Sequence, residues 1–548
     1  MIAKVRGCLD FEVFSQESYR RVRAAAIAFV FLGLAARLVR YLLCFPLWPD
    51  ETFLAANFLD GSYSGLVGPL AYHQVAPLFF LFAEQLAVNL FSFSEYALRF
   101  FPFLAGMASV LIFFRLAGQL LKGSARLAAV AIFVVSYYPI RHSAEVKPYS
   151  IDLLVSLLLL KLAVDWWTDP GRTRRLWLLT AFIPLAVGFS FPAVFVGGGI
   201  GIGILLAVRR GKDIRAVRAA AAYILVLLIA FGAVYAVSTG PQYETEKWLS
   251  GPHPETAGFN VDRAWVKAFP PWRNPEKLPL WLLKIHTGML FAYPNGGRDG
   301  GSALTLILFV VGTVVLARRK GGDLAIFFIA PFLLALAAAA LHRYPYGYNT
   351  RFNLYLAPLI CLPAGLGAAR MVSLIRPPKI RAGVMVVFLG ALGIFGAGNI
   401  ILDLARPYKN REDVASRRFA RKFWAEESRD AELACVYTDL GLDFFPRLWN
   451  WGHSSRYLCN QAIYSPLHQD GPHQPRWEMV SPDRPLKFVV FSVPARFEPY
   501  AELDREAWES WRAEIETRYR LSGYRKHQVN EEVPSHHEVY EVYEFVPR

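Results

Sequence analysis

Apolar runs of membrane-spanning length (roughly 17 to 25 residues) alternate with short basic tracts along most of this chain, an arrangement that predicts a bundle of helices in a bilayer. The runs fall at about 24–42, 97–121, 124–142, 150–168, 175–190, 192–208, 216–238, 302–318, 323–341, 353–373 and 382–403, which predicts about eleven transmembrane helices. Between them lie Arg20, Arg21 and Arg23; Lys122 and Arg126; Arg172, Arg174 and Arg175; Arg209, Arg210, Lys212 and Arg215; Arg318, Arg319 and Lys320; and Arg370, Arg376, Lys379 and Arg381. Basic loops stay in the cytoplasm. All these tracts fall on one side if residues 76–93 do not cross, and that segment is short and interrupted by Glu84, Gln85 and Asn89. It is expected to lie on the outer membrane surface. PLWLLKIHTGMLFAY, Pro279 to Tyr293, carries Lys284 and His286 and is likewise read as non-spanning. Residues 1–23 are long and polar for a signal n-region, so the first apolar run is expected to remain as an anchor.

This topology sends the loop 44–96, the stretch 141–150, the loop 239–301 and everything after 404 to the outer face. The alternation stops there. Residues 1–404 are therefore read as a transmembrane domain and 405–548 as a small soluble α/β domain, with helical NREDVASRRFARKFWAEE, strands LACVYTD and LKFVVFSV, helical AWESWRAEIETRYR and a final strand HEVYEVYEF.

Composition agrees with a polytopic α-helical membrane protein: 54% of the 548 residues are hydrophobic and 15% aromatic. The net charge of +15 is distributed over the loops between apolar runs, which is membrane topology and not a nucleic-acid footprint. The five cysteines form no CxxC pair, and only Cys435 and Cys459 are placed to pair outside. GGGIGIG at 197–203 superficially suggests a phosphate loop, but it lies inside an apolar run with no strand before it and is read as helix packing.

Candidate chemistry gathers in the outer loops. In CFPLWPDETFLAANFLD, Asp50 and Glu51 follow Pro49 at the start of an interfacial helix; acids there complement the helix dipole, yet they also sit at the membrane boundary within reach of a lipid headgroup. RHSAEVKPYSIDLL brings Arg141, His142, Glu145, Lys147 and Tyr149 to the same face, and Asp152 falls inside the next apolar run, where a charge costs roughly 2.5 to 3.5 kcal/mol and needs a partner. HRYPYGYNTRFNLYLAP adds His342, Arg343, Tyr344, Tyr346, Tyr348 and Arg351; an arginine there either snorkels or clamps a phosphate.

The order WPDETFLAANFLD, a Pro-containing surface segment, SEYALRFFPFLAG, EVKPYSIDLL and RFNLYLAPLICLPAG resembles the integral-membrane GT-C glycosyltransferases over roughly residues 20–400. It looks most like the branch containing aminoarabinose transferases of lipid A, protein O-mannosyltransferases and lipopolysaccharide-core galacturonosyltransferases. The resemblance implies transfer of a sugar from a polyprenyl phosphate donor, usually with inversion, to a lipid, glycan or protein acceptor on the outer, periplasmic side of the inner membrane. Its partners are then that donor, membrane lipids and the acceptor. By the resemblance, Asp50 corresponds to the acid of the first outer loop that activates the acceptor hydroxyl, Glu51 is also matched, and Asp152 is the second family acid. Lys147, Arg351 and Arg141 are the cations offered to the donor phosphate; His73, Gln74, Tyr149 and Tyr346 are offered as cavity residues. No cofactor is required, since a polyprenyl phosphate leaves without a general acid, although paired acids hold a divalent metal in some relatives. One departure is HQVAP, with His73 and Gln74 ahead of Pro77, where aminoarabinose transferases carry Glu-Lys-Pro. That argues against aminoarabinose as the sugar. A transporter or flippase is the rival, because intramembrane charges also mark substrate paths; the chain lacks the internal repeats it favours.

Overall fold

A computed structural model describes residues 9, 11, 13–14, 18–47, 49–58, 61–70, 74–211, 213–242, 266–297, 300–408, 411–427, 432–437, 485–492, 509, 512–513, 515–533 and 537–548. Helices occupy every apolar run read from the sequence: α1 (Tyr19–Leu43), then the short α2 (Pro49–Ala55), α3 (Leu78–Phe91) and α4 (Glu95–Leu98), followed by α5 (Phe100–Leu120), α6 (Gly123–Val135), α7 (Tyr137–Arg141), α8 (Tyr149–Thr168), α9 (Thr173–Phe189), α10 (Ala193–Gly211) and α11 (Ile214–Val234). After them come α12 (Leu278–Thr287), α13 (Ala303–Lys320), α14 (Gly322–Ala340), α15 (Ala357–Ser373) and α16 (Pro378–Ala405). Among the described residues, six helices are long and apolar enough to cross a membrane, or seven if the bent pair α6–α7 is one span. The protein is an integral membrane protein: Phe31 on α1, Leu228 on α11 and Val387 and Ile394 on α16 are exposed apolar side chains on helices of strongly apolar composition, the face a helix turns to lipid. The 14 residues of α3 and 10 of α12 extend about 21 and 15 Å at 1.5 Å per residue, short of the roughly 30 Å hydrocarbon core.

The run 124–142 is bent by 51° between α6 and α7. The Tyr137 N–H donates to Pro294 O (2.8 Å), and Pro139, inside α7, has no N–H and crowds the carbonyl of Val135, so the helical ladder breaks there.

The core is built on α6, α8 and α15, whose side chains are almost all buried. Glycines set the closest approaches. A Cβ on Gly312 of α13 would lie 1.8 Å from Pro363 O of α15, and one on Gly367 of α15 1.9 Å from Leu308 O. The 197–203 run does the packing expected of it: a Cβ at Gly199 or Gly203 would meet Pro331 Cδ at 2.5 Å or Phe327 Cε1 at 2.3 Å on α14, whereas Gly197 and Gly201 face Leu227 and Ile224 of α11.

The basic ends gather at one end of the bundle. The chain before α1 is tied there by the Leu9 N–H donating to Leu120 O (2.9 Å), and the Phe11 ring lies under the guanidiniums of Arg319 (4.9 Å) and Arg370 (5.6 Å). Both α8 and α15 start at the opposite end, where the 44–96 loop, the α7–α8 connection and the segment before α15 meet, and run into this one.

The C-terminal segment begins with α17 (Arg411–Glu427) and contains β1 (Glu432–Tyr437), β2 (Leu486–Ser492), β3 (Tyr519–Val529) and β4 (Glu538–Pro547) in the order β1-β2-β4-β3. β1 and β2 are parallel and the other pairs antiparallel. Phe419 and Phe423 of α17 pack on His527 and Tyr540. β3 has no counterpart in the sequence reading, which carries the preceding helix to Arg520; helix ends at 518 and the strand starts at once. It is an edge strand with a register shift between Leu521 and Gly523, which breaks the two-residue alternation. Cys459 lies outside the described residues, and with it the expected Cys435–Cys459 pairing.

Candidate active site

Glu51, in the first turn of α2, is 3% exposed and points inward. Arg99, where α4 passes into α5, grips it through Nη2 to Oε1 (2.9 Å) and Oε2 (3.0 Å) and through Nε to Oε1 (3.1 Å). The Val146 N–H donates to the same Oε1 (2.8 Å), and Arg99 Nη1 donates to Phe45 O. One carboxylate thus joins the loop after α1, the start of α5 and the α7–α8 connection. A buried pair with these extra hydrogen bonds compensates the desolvation of both charges. Asp50 precedes it in α2; its side chain lies outside the described residues, as does His73.

The α7–α8 connection carries the next layer. Arg141 Nε donates to Glu145 Oε1 (2.7 Å), and His142 Nδ1 lies 2.6 Å from Glu145 Oε2. Burial opposes the Glu145 charge, but His142 and Arg141 outweigh it and hold this carboxyl well below the usual carboxylate range. Lys147 Nζ donates to Gln74 Oε1 (2.8 Å), which ties the connection to the segment before α3. Tyr149 opens α8 with its ring edge-on to His142 (5.3 Å) and Phe352 (5.8 Å).

One turn further, Asp152 is 5% exposed, and its Oδ1 has no hydrogen-bond partner among the described residues. Ser190, Tyr344 and Tyr355 lie around it. Phe195 meets Tyr344 at 5.2 Å and Tyr355 at 6.2 Å, completing an aromatic wall, and the Tyr355 hydroxyl is also buried without a described partner. Buried polar atoms are nearly always hydrogen-bonded within a protein or to water. Asp152 Oδ1, Ser190 Oγ and the Tyr355 hydroxyl all lack a described partner here, and such groups are offered to water or a ligand.

Arg351 reaches the same neighbourhood from the segment before α15: its guanidinium stacks 4.8 Å over Phe352, its N–H donates to Asn349 Oδ1 (3.2 Å), and it is near enough to His142 to influence its charge. Arg141, Lys147, Tyr149, Asp152 and Arg351 are therefore brought together, with Gln74 and Glu51 beside them. Tyr346 places its hydroxyl 3.1 Å from His286 Nε2 of α12 and also stands near Tyr355. Its neighbour two residues earlier, Tyr344, is the one beside Asp152. Arg99, Ser190, Phe195 and Tyr355 are members that sequence reading did not select. An arginine inside the apolar run 97–121 was the available signal, at Arg99. Among the described residues, no three His, Cys, Asp or Glu side chains gather as a metal site.

The family model described as dolichyl-phosphate-mannose-protein mannosyltransferase matches residues 75–236, the stretch from Gln74's neighbour through α11 that contains Arg99, Lys147 and Asp152. No curated protein sequence matches the chain. Among solved structures, ArnT from Cupriavidus metallidurans bound to undecaprenyl phosphate is similar with a TM-score of 0.52 at 12% identity, over 94% of this chain and 97% of that one. The same protein in the apo state matches with a TM-score of 0.52 at 12% identity, over 94% and 98%. The resemblance read from the sequence is upheld, and the chain has the fold of the GT-C glycosyltransferases.

Proposed function

We propose that this protein transfers a sugar from a polyprenyl phosphate to the hydroxyl of a lipid, glycan or protein acceptor at the outer face of the cell membrane. The observation that carries the reading is the meeting, at the end of the bundle away from the basic loops, of Lys147 and Arg351 with the aromatic wall around Asp152 and with the α2 loop. Undecaprenyl phosphate bound to a protein of the same fold supports a polyprenyl donor.

In this reading Lys147 exchanges the Gln74 amide for a phosphate oxygen and Arg351 offers a planar guanidinium, so the leaving phosphate keeps its negative charge without a proton. Arg141 already faces Glu145 and acts on the phosphate through the field of that pair. The acceptor oxygen attacks the anomeric carbon, the bond from that carbon to the phosphate oxygen breaks, and the hydroxyl proton passes to Asp50. Attack opposite the phosphate inverts the anomeric centre. Asp152 supplies negative field for the oxocarbenium-like transition state, and Glu51 holds α2 in place.

Purified protein incubated with labelled polyprenyl phosphate sugars should release polyprenyl phosphate, and Asp50→Asn should slow release by roughly 10²- to 10⁴-fold with donor binding kept. No release from any such donor refutes the transferase; wild-type release by Asp50→Asn removes Asp50 from the chemistry. For the membrane side, cysteines introduced at Ser64 and Ser522 should react with an impermeant reagent in intact cells, and one at Gly171 only after permeabilisation. The reverse pattern puts the site in the cytoplasm.

A further inference from the structure

Three arginines from separate parts of the chain converge on the two residues that lead from α1 towards α2. Cys44 ends α1 with a left-handed backbone (φ 46°), which takes its carbonyl and that of Phe45 out of the helical ladder. Cys44 O accepts from Arg417 Nη1 of α17 (2.6 Å), and Phe45 O accepts from Arg99 Nη1. The Phe45 ring lies 4.3 Å beneath the guanidinium of Arg40, which also pairs with Asp403 near the end of α16 (2.6 Å).

Arg417 also forms an ion pair. Its Nη1 lies 3.7 Å from Glu95 Oε1 of α4, with only 15% and 7% of the two side chains exposed. Glu95 stands four residues before Arg99, whose guanidinium holds Glu51. The C-terminal segment therefore reaches α2 by two routes, directly through Cys44 O and indirectly through Glu95, α4 and the Arg99–Glu51 pair. A seven-residue helix such as α2 has little stability of its own, so its direction depends on how its entry is held.

We propose that Arg417 is a positioning residue through which the C-terminal segment fixes the 44–55 loop, and with it Asp50 and Glu51, relative to Lys147 and Asp152. Its effect on turnover rests on the transferase reading above; its effect on the loop does not. Arg351 lies on the segment before α15, and Lys147 is joined to the loop through the Val146 N–H on Glu51, so loss of Arg417 moves the acceptor side of the reaction more than the donor side.

The test compares wild-type, Arg417→Ala, Arg417→Lys and Glu95→Gln full-length proteins in lipid nanodiscs. Arg417→Ala should speed amide hydrogen exchange in residues 44–55 by about tenfold or more, the scale of losing one charge-assisted hydrogen bond, with exchange in Ala357–Ser373 unchanged. Its kcat should fall, by up to roughly 10²-fold for a displacement of about 1 Å, while KM for the polyprenyl phosphate sugar stays within about twofold. Arg417→Lys should restore most of both, and Glu95→Gln should show a smaller change in the same direction; these two decide the matter if Arg417→Ala does not fold. Unchanged exchange in 44–55 overturns the proposal, and so does an equal rise in Ala357–Ser373, which assigns the loss to general unfolding. If the wild type releases no polyprenyl phosphate, the transferase reading fails, and the exchange comparison still decides whether Arg417 positions the loop.

Discussion

Glu51 and Asp152 are buried to nearly the same depth, 3% and 5% exposed, at the same end of the bundle, and their surroundings are opposite. Around Glu51 a bidentate arginine and a backbone N–H meet the carboxylate. Around Asp152 stand a serine and two tyrosine rings, and one carboxylate oxygen has no described partner. Burial alone therefore does not tell these two acids apart. What separates them is the accounting of hydrogen bonds: a carboxylate whose bonds are all made inside the protein has nothing left to offer a substrate, whereas one left incomplete in an aromatic chamber is poised to receive one.

The largest expected effect comes from breaking the first region. Arg99→Met leaves Glu51 buried and uncompensated and should cost roughly 3 to 5 kcal/mol of stability, read from thermal unfolding in detergent. The pairing predicts more: Glu51→Gln with Arg99→Met should cost less than the sum of the single changes, because the buried charge goes with its partner. A loss under about 1 kcal/mol for Arg99→Met would mean water reaches the pair, and the contrast with Asp152 collapses.

Asp152→Asn is the matching change in the second region. No ion pair among the described residues is lost, so unfolding should be unchanged or slightly delayed, while turnover should fall by roughly 10²- to 10³-fold through loss of transition-state field. Activity near wild type with reduced stability would move Asp152 into the class of Glu51. Smaller again is the donor side. Lys147→Ala and Arg351→Ala should each weaken polyprenyl phosphate binding by roughly 1.5 to 3 kcal/mol, measured by titration. Unchanged affinity in both leaves Lys147 as a tie to Gln74 and Arg351 as a stacking residue on Phe352.

The parts of this arrangement that were legible in the sequence are those imposed locally. A bilayer demands long apolar helices, so helices stand wherever the apolar runs are. Asp152 stood out because a charge inside such a run is costly. The glycines at 197–203 were legible as packing because they lacked a strand before them. Partners were not legible: Glu51 meets Arg99 48 positions later and Gln74 meets Lys147 73 positions later, separations that only the folded loops close. The choice between Tyr344 and Tyr346 was hidden too. Both lie in one short loop, and which of them faces Asp152 depends on its path, including the left-handed turn at Gly347 (φ 72°), which spacing cannot reveal.

Glu145 is a third acid at this end and stands between the other two, held by Arg141 and His142 but with 17% of its side chain exposed. Burial opposes its charge, but its contacts with His142 and Arg141 outweigh that and hold its folded pKa below the ordinary value. The sign follows: the unfolded chain binds the proton more readily, so the stabilisation is complete above the unfolded carboxylate value of about 4.3 and is lost as pH falls through the lower folded value. Glu145→Gln should therefore lower the melting temperature at pH 7 by the equivalent of roughly 0.2 to 1 kcal/mol, since water still screens part of the pair. The gap between variant and wild type should stay constant down to about pH 5 and shrink steadily below about pH 4. Melting curves at pH 7, 5 and 3.5 read this directly. A gap that persists undiminished at pH 3.5 would mean that Glu145 contributes through shape and neutral hydrogen bonds, which Gln fails to reproduce, and the acid would then belong with neither Glu51 nor Asp152.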